Sequence, residues 1–237
     1  MSFTNHRHSA SVEGVYYDEG LRSYMVRVFN YMAIALGITG VTAYFVSSSA
    51  SLLTLIYQTP LQWVLMFAPL IFVFVFAAKI PSMQLDTAKM LFWTFAVVMG
   101  VSLAWVFLVY TGTSVARVFF ISASMFGAMA LYGNSTKKDL TSMGSFLMMG
   151  LIGIIIASLV NLFLASTAMS FAISFLSVII FAGLTAYDVQ KIKDCYYMFN
   201  NGDSQVAGKF AIMGALTLYF DFLNIFLSML RLFGERR

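Results

Sequence analysis

Residues 210–231 read FAIMGALTLYFDFLNIFLSMLR. The run is apolar almost throughout and holds one carboxylate, Asp221, before Arg231 closes it. Crossing the hydrocarbon of a bilayer takes about 20 predominantly apolar residues, and this run supplies them. Inside hydrocarbon each backbone N–H and C=O must be satisfied within the segment, so the run reads as a helix. At helical pitch its small and polar residues share one face. Gly214, Thr217, Asp221, Asn224, Ser228 and Arg231 follow one another at 3, 4, 3, 4 and 3. Lipid tails offer no hydrogen bonds, so a narrow polar stripe on an apolar helix points to a helix surrounded by other helices or lining a cavity.

The rest of the chain is of the same kind. Of its residues 60% are hydrophobic and 10% charged, with a mean hydropathy of +0.85, against about 25% charged for a soluble domain. The composition excludes a soluble monomer and gives an all-α polytopic membrane protein. Seven spans are expected: Val26–Val46, Leu61–Ala78, Ala88–Tyr110, Ser114–Leu131, Met143–Leu164, Ser170–Val189 and Phe210–Leu230. Short connections make consecutive helices antiparallel neighbours. The expected organisation is a mobile polar tail over 1–24 and a seven-helix transmembrane domain over 25–237. The opening MSFTNHRHSASVEGVYYDEGLR lacks an apolar core followed by a small-residue cleavage site, so it does not read as a cleavable signal. His6 and His8 stand two apart with no third ligand nearby and do not read as a metal site. The net charge of +4 is scattered one or two residues at a time between apolar runs, which excludes a nucleic-acid stripe. The single cysteine, Cys195, excludes an intramolecular disulfide and reads as a spare thiol.

Lys and Arg set the expected orientation. With the N-terminus inside, the cytoplasmic segments hold Arg7, Arg22, Arg27, Lys79, Lys89, Lys137, Lys138, Lys191, Lys193 and Lys209, ten in all. The other side holds Arg117, Arg231, Arg236 and Arg237. The bias places the N-terminus in the cytoplasm and the C-terminus outside, and the three tail arginines dissent. A re-entrant last helix, or only six crossings, would satisfy them.

The sixth span carries a second stripe, Ser174, Ser177, Phe181, Thr185 and Asp188, at 3, 4, 4 and 3. Ala182, Gly183 and Ala186 give it small residues for close packing. Gly150, Gly153, Ala157 and Asn161 in the fifth span, and Gly37 and Gly40 in the first, read the same way. Ser and Thr in such helices commonly bond back to their own backbone. Aspartates differ, because an ionised one at the bilayer centre costs at least about 2.5–3.5 kcal/mol. Asp221 therefore reads as paired or functional, with Thr185, Thr217, Asn224 and Ser228 as supporting candidates. Asp188 lies nearer the edge and reads either as a functional group or as an interfacial cap beside Lys191.

Three segments resemble one family in order along the chain: YGNSTKKDLTSMGSF (132–146), FAGLTAYDVQKIK (181–193) and LYFDFLNIFLSMLRLFG (218–234). Together they resemble the Bax inhibitor-1 family, also called the transmembrane Bax inhibitor motif family, in a bacterial member. The resemblance implies seven helices with the last one central and the other six around it. It implies a pH-sensitive calcium leak in the bacterial inner membrane, contributing to ion homeostasis and stress protection, with no enzymatic activity. It implies that an aspartate pair from the last two helices, here Asp188 and Asp221, controls opening, and that a cation from the second helix, here Lys79, latches onto the pair in the closed form. Calcium and protons are the implied ligands, and a membrane-bound quality-control protease is an implied partner.

Two close carboxylates in low dielectric cannot both ionise comfortably, and their protonation belongs to the pair. A shared proton holds the two helices together, and its loss sets two negative charges face to face. Calcium prefers six to eight oxygen ligands, so two carboxylates, water, Asn224 and backbone carbonyls would form a weak, transient site; no resident cofactor is expected. The pairing carries a geometric condition. At about 1.5 Å per residue, Asp221 lies about 16 Å beyond Phe210, whereas Asp188 lies only about 5 Å from Lys191. The two meet only if the sixth helix runs past the membrane edge or the seventh begins later. Two other readings compete: a non-catalytic modulator of a stress-response partner, with the N-terminal tail as its handle, and an intramembrane aspartyl protease. The protease is disfavoured because LYFD lacks the glycines such enzymes place beside the aspartate, and no Pro-Ala-Leu turn follows it. The sequence assigns no oligomeric state.

Overall fold

The computed structural model describes residues 5–199 and 204–237. The side chains at 1–18, 57, 66, 70, 77, 81, 199 and 204 lie outside that description, and His6 and His8 with them. The described chain is helical: α1 (Asn5–Ser48), α2 (Ala50–Tyr57), α3 (Leu61–Lys79), a 3-10 turn (Ile80–Ser82), α4 (Leu85–Ser102), α5 (Trp105–Val109), α6 (Gly112–Ser135), α7 (Thr141–Leu164), α8 (Thr167–Phe199) and α9 (Ser204–Phe233). Six segments are long and apolar enough to cross a membrane: Glu19–Ser48, Leu85–Val109, Gly112–Ser135, Thr141–Leu164, Thr167–Met198 and Gln205–Phe233. The expected second span coincides with α3, an apolar helix of 19 residues that is not among the six. The side chains at 66, 70 and 77 within it lie outside the described residues.

The expected third span is broken into α4 and α5 around Leu103 and Ala104, where the backbone tightens into Ala104 N–H to Val101 O and Val106 N–H to Leu103 O bonds. The sixth helix runs ten residues beyond its expected end at Val189, to Phe199. The expected end falls at the first charges, Asp188, Lys191 and Lys193, and charged side chains do not stop a helix. No Gly or Pro intervenes between Leu184 and Phe199.

Helix α3 shows how sequence and packing interlock. Pro69 lies inside it and has no N–H, so the carbonyl one turn back, Leu65 O, loses its helical donor. Ser102 Oγ, at the end of α4, donates to that carbonyl at 2.8 Å. The bond also fixes direction, since it sets the start of α3 beside the end of α4. Ser102→Ala should lower stability by about 1–3 kcal/mol, the penalty for an unpaired carbonyl away from water. Thermal unfolding in bicelles checks this, and a variant as stable as the wild type would count against the assignment.

Helix α9 packs against α8, α1, α6 and α4. Over an apolar stretch of 18 residues 67% of α9 is buried, against 6% in α7. A buried polar relay ties it in. Thr39 Oγ1 on α1 donates to Ala96 O on α4 at 2.9 Å and lies 2.7 Å from the hydroxyl of the fully buried Tyr219. A threonine hydroxyl carries one hydrogen, so Tyr219 donates to Thr39, and Thr39 donates to Ala96. Thr39→Val strands the Tyr219 hydroxyl, and a loss of about 1–3 kcal/mol is expected. Adding Tyr219→Phe should recover part of it in a double-mutant cycle; full additivity of the two would argue against the relay.

Close packing falls on Gly133 and Gly144, which the spacing did not single out, and on some of the expected glycines but not on others. A Cβ at Gly133 would fall inside contact distance of the Ala186 backbone, one at Gly144 would sit 2.5 Å from the Tyr187 ring, and one at Gly150 would sit 2.8 Å from Ile180. Gly37, Gly40 and Gly153 face open space instead. Their spacing matches a packing face, but no neighbouring helix lies against it.

The charges segregate to two ends. Arg22 shares a cavity wall with Asn134, and Tyr24 stacks on Tyr196 at 5.2 Å between centroids, so the start of the α1 span lies with the α6–α7 connection and the end of α8. Lys137, Lys138, Lys191 and Lys193 belong to this end. At the other end Arg117 pairs with Glu235 at 3.6 Å, and Arg231 and Arg236 line one cavity with the start of α8.

Candidate functional site

Asp188 and Asp221 are brought together where α8 crosses α9. Their carboxyl groups lie within side-chain hydrogen-bonding reach of each other. The geometric condition is met by the first of its two routes. Because α8 continues to Phe199, Asp188 lies eleven residues inside the helix end, about 16 Å along its axis. Helix α9 starts earlier than expected, at Ser204.

The two carboxyls are not equivalent. Asp221 is 4% exposed, and its Oδ2 is a buried oxygen facing no donor. Asp188 is half-buried and lies in the field of the Lys191 ammonium, whose Nζ also sits 5.9 Å from the Tyr187 ring centroid. Two ionised carboxylates present only acceptors to each other. One proton between them supplies the missing donor, so the arrangement is complete when the pair carries a single proton.

The supporting candidates separate. Thr185 Oγ1 donates to Phe181 O at 2.7 Å, Thr217 Oγ1 to Met213 O at 3.2 Å, and Asn224 Nδ2 to Phe220 O at 2.8 Å. All three turn back onto their own helix. Thr185 is buried beside the pair, whereas Thr217 is exposed. Ser228 is buried two turns further along α9. Lys79 is exposed in the last turn of α3 and takes part in neither ion pair found among the described residues, Lys89–Asp86 and Arg117–Glu235. The cation in whose field Asp188 lies is Lys191, from α8 itself. No cluster of three or more His, Cys, Asp or Glu forms among the described residues, so a cation at the pair would draw on two carboxyls, backbone carbonyls and water.

Residues the sequence reading passed over hold the site in place. Gln190, two positions beyond Asp188, accepts from Leu140 N–H at 2.8 Å through Oε1 and donates to Lys138 O at 2.8 Å through Nε2. Lys193 Nζ donates to Asn134 O at 3.1 Å. With Gly133 against Ala186 and Gly144 against Tyr187, the segment 132–146 clasps the segment 181–193 along its whole length. The two stretches that stood out separately in the sequence are contact partners. Gln190 carried its own signal: it is an amide on a helix face between charged residues, two positions from a candidate.

The family model described as inhibitor of apoptosis-promoting Bax1 matches residues 21–237. An uncharacterised protein of Rickettsia prowazekii is 53% identical over 221 residues, covering 93% of each chain. The inner membrane protein YbhL of Escherichia coli is 42% identical, over 92% of this chain and 94% of its own. An uncharacterised membrane protein of Streptococcus pyogenes is 34% identical, over 92% and 95%.

Proposed function

The chain belongs to the Bax inhibitor-1 family of multi-pass membrane proteins, and from that premise we propose that it is a pH-responsive calcium leak of the bacterial inner membrane, governed by one proton shared between Asp188 and Asp221. The observation that carries the reading is the carboxyl pair buried between α8 and α9, with Asp221 Oδ2 facing no donor. While the proton is shared, α8 and α9 are bonded to each other through the pair. When it leaves, two negative charges face each other in low dielectric and the contact is weakened. A hard divalent cation entering at that moment is attracted by both carboxylates and held only weakly, because the remaining oxygen ligands must come from water and carbonyls. Weak, transient binding is what conduction needs.

The proposed topology has seven crossings, the N-terminus in the cytoplasm and α9 central. It draws support from the start of the α1 span and the end of α9 lying at opposite ends of the bundle, which requires an odd number of crossings. It also draws support from the gathering of Lys137, Lys138, Lys191 and Lys193 at the N-terminal end. Proteolysis is the weaker use of the same pair. Leu218, Tyr219 and Phe222, which flank Asp221 on α9, are buried, and Asp221 itself is 4% exposed, which disfavours a substrate backbone reaching the carboxyl.

The test is calcium flux into proteoliposomes of the full chain as pH is varied, for the wild type, Asp188→Asn and Asp221→Asn. A leak whose size and pH profile are the same in all three would sink the proposal.

A further inference from the structure

A cavity of about 730 Å³ with mixed polar and apolar walls opens at the end of the bundle that carries Arg231 and Arg236. Its floor is the turn between α7 and α8, and this floor is satisfied within itself. Asn161 Nδ2 donates to Ser170 Oγ at 2.8 Å, Ser170 Oγ donates to Ser166 O at 3.0 Å, and Asn161 Oδ1 accepts from Ser166 N–H at 3.1 Å. The charged donors at the cavity are the exposed guanidinium groups of Arg231 and Arg236, which both line it beside the hydroxyls of Ser158, Thr167 and Tyr110. No Asp or Glu lines it, and the neighbouring carboxylate, Glu235, is paired with Arg117. Arg231 and Arg236 take part in neither ion pair found among the described residues.

Arg236 is not on a loose chain end. Arg237 N–H donates to Val109 O at 2.9 Å, Thr111 N–H to Glu235 O at 3.0 Å, and Glu235 N–H to Ser114 Oγ at 2.9 Å, with an antiparallel bridge between Tyr110 and Arg236. The bonded tail brings a second guanidinium to the cavity that the one on α9 also lines. Two forked donors across one hollow suit a tetrahedral oxyanion, which each can take bidentately. Trp105 and Tyr110 in the same wall are the amphipathic aromatics that lie at headgroup depth in a bilayer. The first turn of α8, reaching the cavity at Thr167, adds N–H groups of the favourable sign.

We infer that the cavity walled by Arg231, Arg236 and the α7–α8 turn binds a phosphate-bearing anion, either the headgroup of an anionic phospholipid or phosphate from solution. Such a ligand also accounts for two of the three tail arginines that dissent from the charge bias, Arg231 and Arg236, since a bound anion neutralises them where they stand. The inference stands apart from the aspartate switch and does not need it.

The experiment uses the full chain in neutral detergent. The unfolding midpoint is followed as phosphatidylglycerol, phosphatidylcholine or inorganic phosphate is added at constant ionic strength. Phosphatidylglycerol should raise the midpoint more than phosphatidylcholine does. Arg231→Gln and Arg236→Gln should each weaken the apparent affinity by about fivefold, while Lys137→Gln at the opposite end leaves it unchanged. If inorganic phosphate raises the midpoint and competes with the lipid, the ligand comes from solution; if only the lipid acts, it is a headgroup. A wild type that treats the two lipids alike and ignores phosphate would overturn the inference. So would a double arginine variant that keeps the wild-type preference. The comparison of lipids on the wild type holds whether or not a variant folds.

Discussion

Asp221→Asn should bring the calcium leak of the reconstituted protein close to its low-pH value at every pH, and the double Asp188→Asn, Asp221→Asn variant should remove the pH response altogether. Asparagine is nearly isosteric with the protonated acid, cannot ionise, and brings an N–H₂ donor to a place where Asp221 Oδ2 has none. The variant should therefore be at least as stable as the wild type while losing most of its response to pH. That combination separates a sensor from a merely structural carboxyl, whose removal would lower stability and leave the pH profile in place. The single variants should differ. Asp188 is half-buried and faces Lys191, so left alone it retains some titration. Asp221 is only 4% exposed, so the variant that keeps it alone should show the smaller remaining response. Flux recorded from about pH 4 to about pH 8 covers the range over which carboxyls titrate in proteins. A double variant that still responds across that range would place the sensor elsewhere.

The second large effect is expected at Gly133. Helices α6 and α8 approach so closely there that a Cβ would fall inside contact distance of Ala186 O, C and Cα. Backbone cannot rotate out of the way as a side chain can, so Gly133→Leu must push α8 aside. A loss of about 3 kcal/mol is expected, the upper end for overpacking. Gly153→Leu is the matched control, since open space surrounds that position, and it should change stability little. Ala186 stands two residues before Asp188 on α8. The same displacement therefore moves Asp188 away from Asp221, and Gly133→Leu should also disturb the pH profile of the leak. Unfolding midpoints in bicelles and flux in proteoliposomes read the two consequences separately. If Gly133→Leu and Gly153→Leu proved equally mild, the close contact between α6 and α8 would be wrong.

A periodic pattern reports which residues share a face, not what lies against that face. Gly37, Gly40 and Gly153 have the spacing of packing glycines and meet nothing. Thr217 and Asn224 sit in the stripe of Asp221 yet bond back to Met213 O and Phe220 O. The membrane edge drawn at Lys191 was a statement about lipid, and the helix ignored it because helix continuation depends on backbone propensity. Lys79, chosen by resemblance, is exposed at the end of α3, while Lys191, one helical turn from Asp188, supplies the cation nearest in effect.

What the sequence determined by itself is what hydrocarbon dictates locally. Long apolar runs must become helices, because each has to satisfy its own backbone. Polar stripes must turn inward, because lipid cannot solvate them. A lone aspartate in such a run must find a partner, because its charge is too costly to leave bare. These constraints act within one helix, and one helix is legible in one stretch of chain. The tertiary structure decided the rest, which consists of contacts between stretches far apart in sequence. It made Gln190 the clasp between 132–146 and 181–193, gave the carbonyl freed by Pro69 to Ser102, and folded the C-terminal tail so that Arg236 faces Arg231's cavity. Above all it decided that Asp188 and Asp221 meet, since only the crossing of α8 and α9 fixes how far apart two carboxyls on different helices stand.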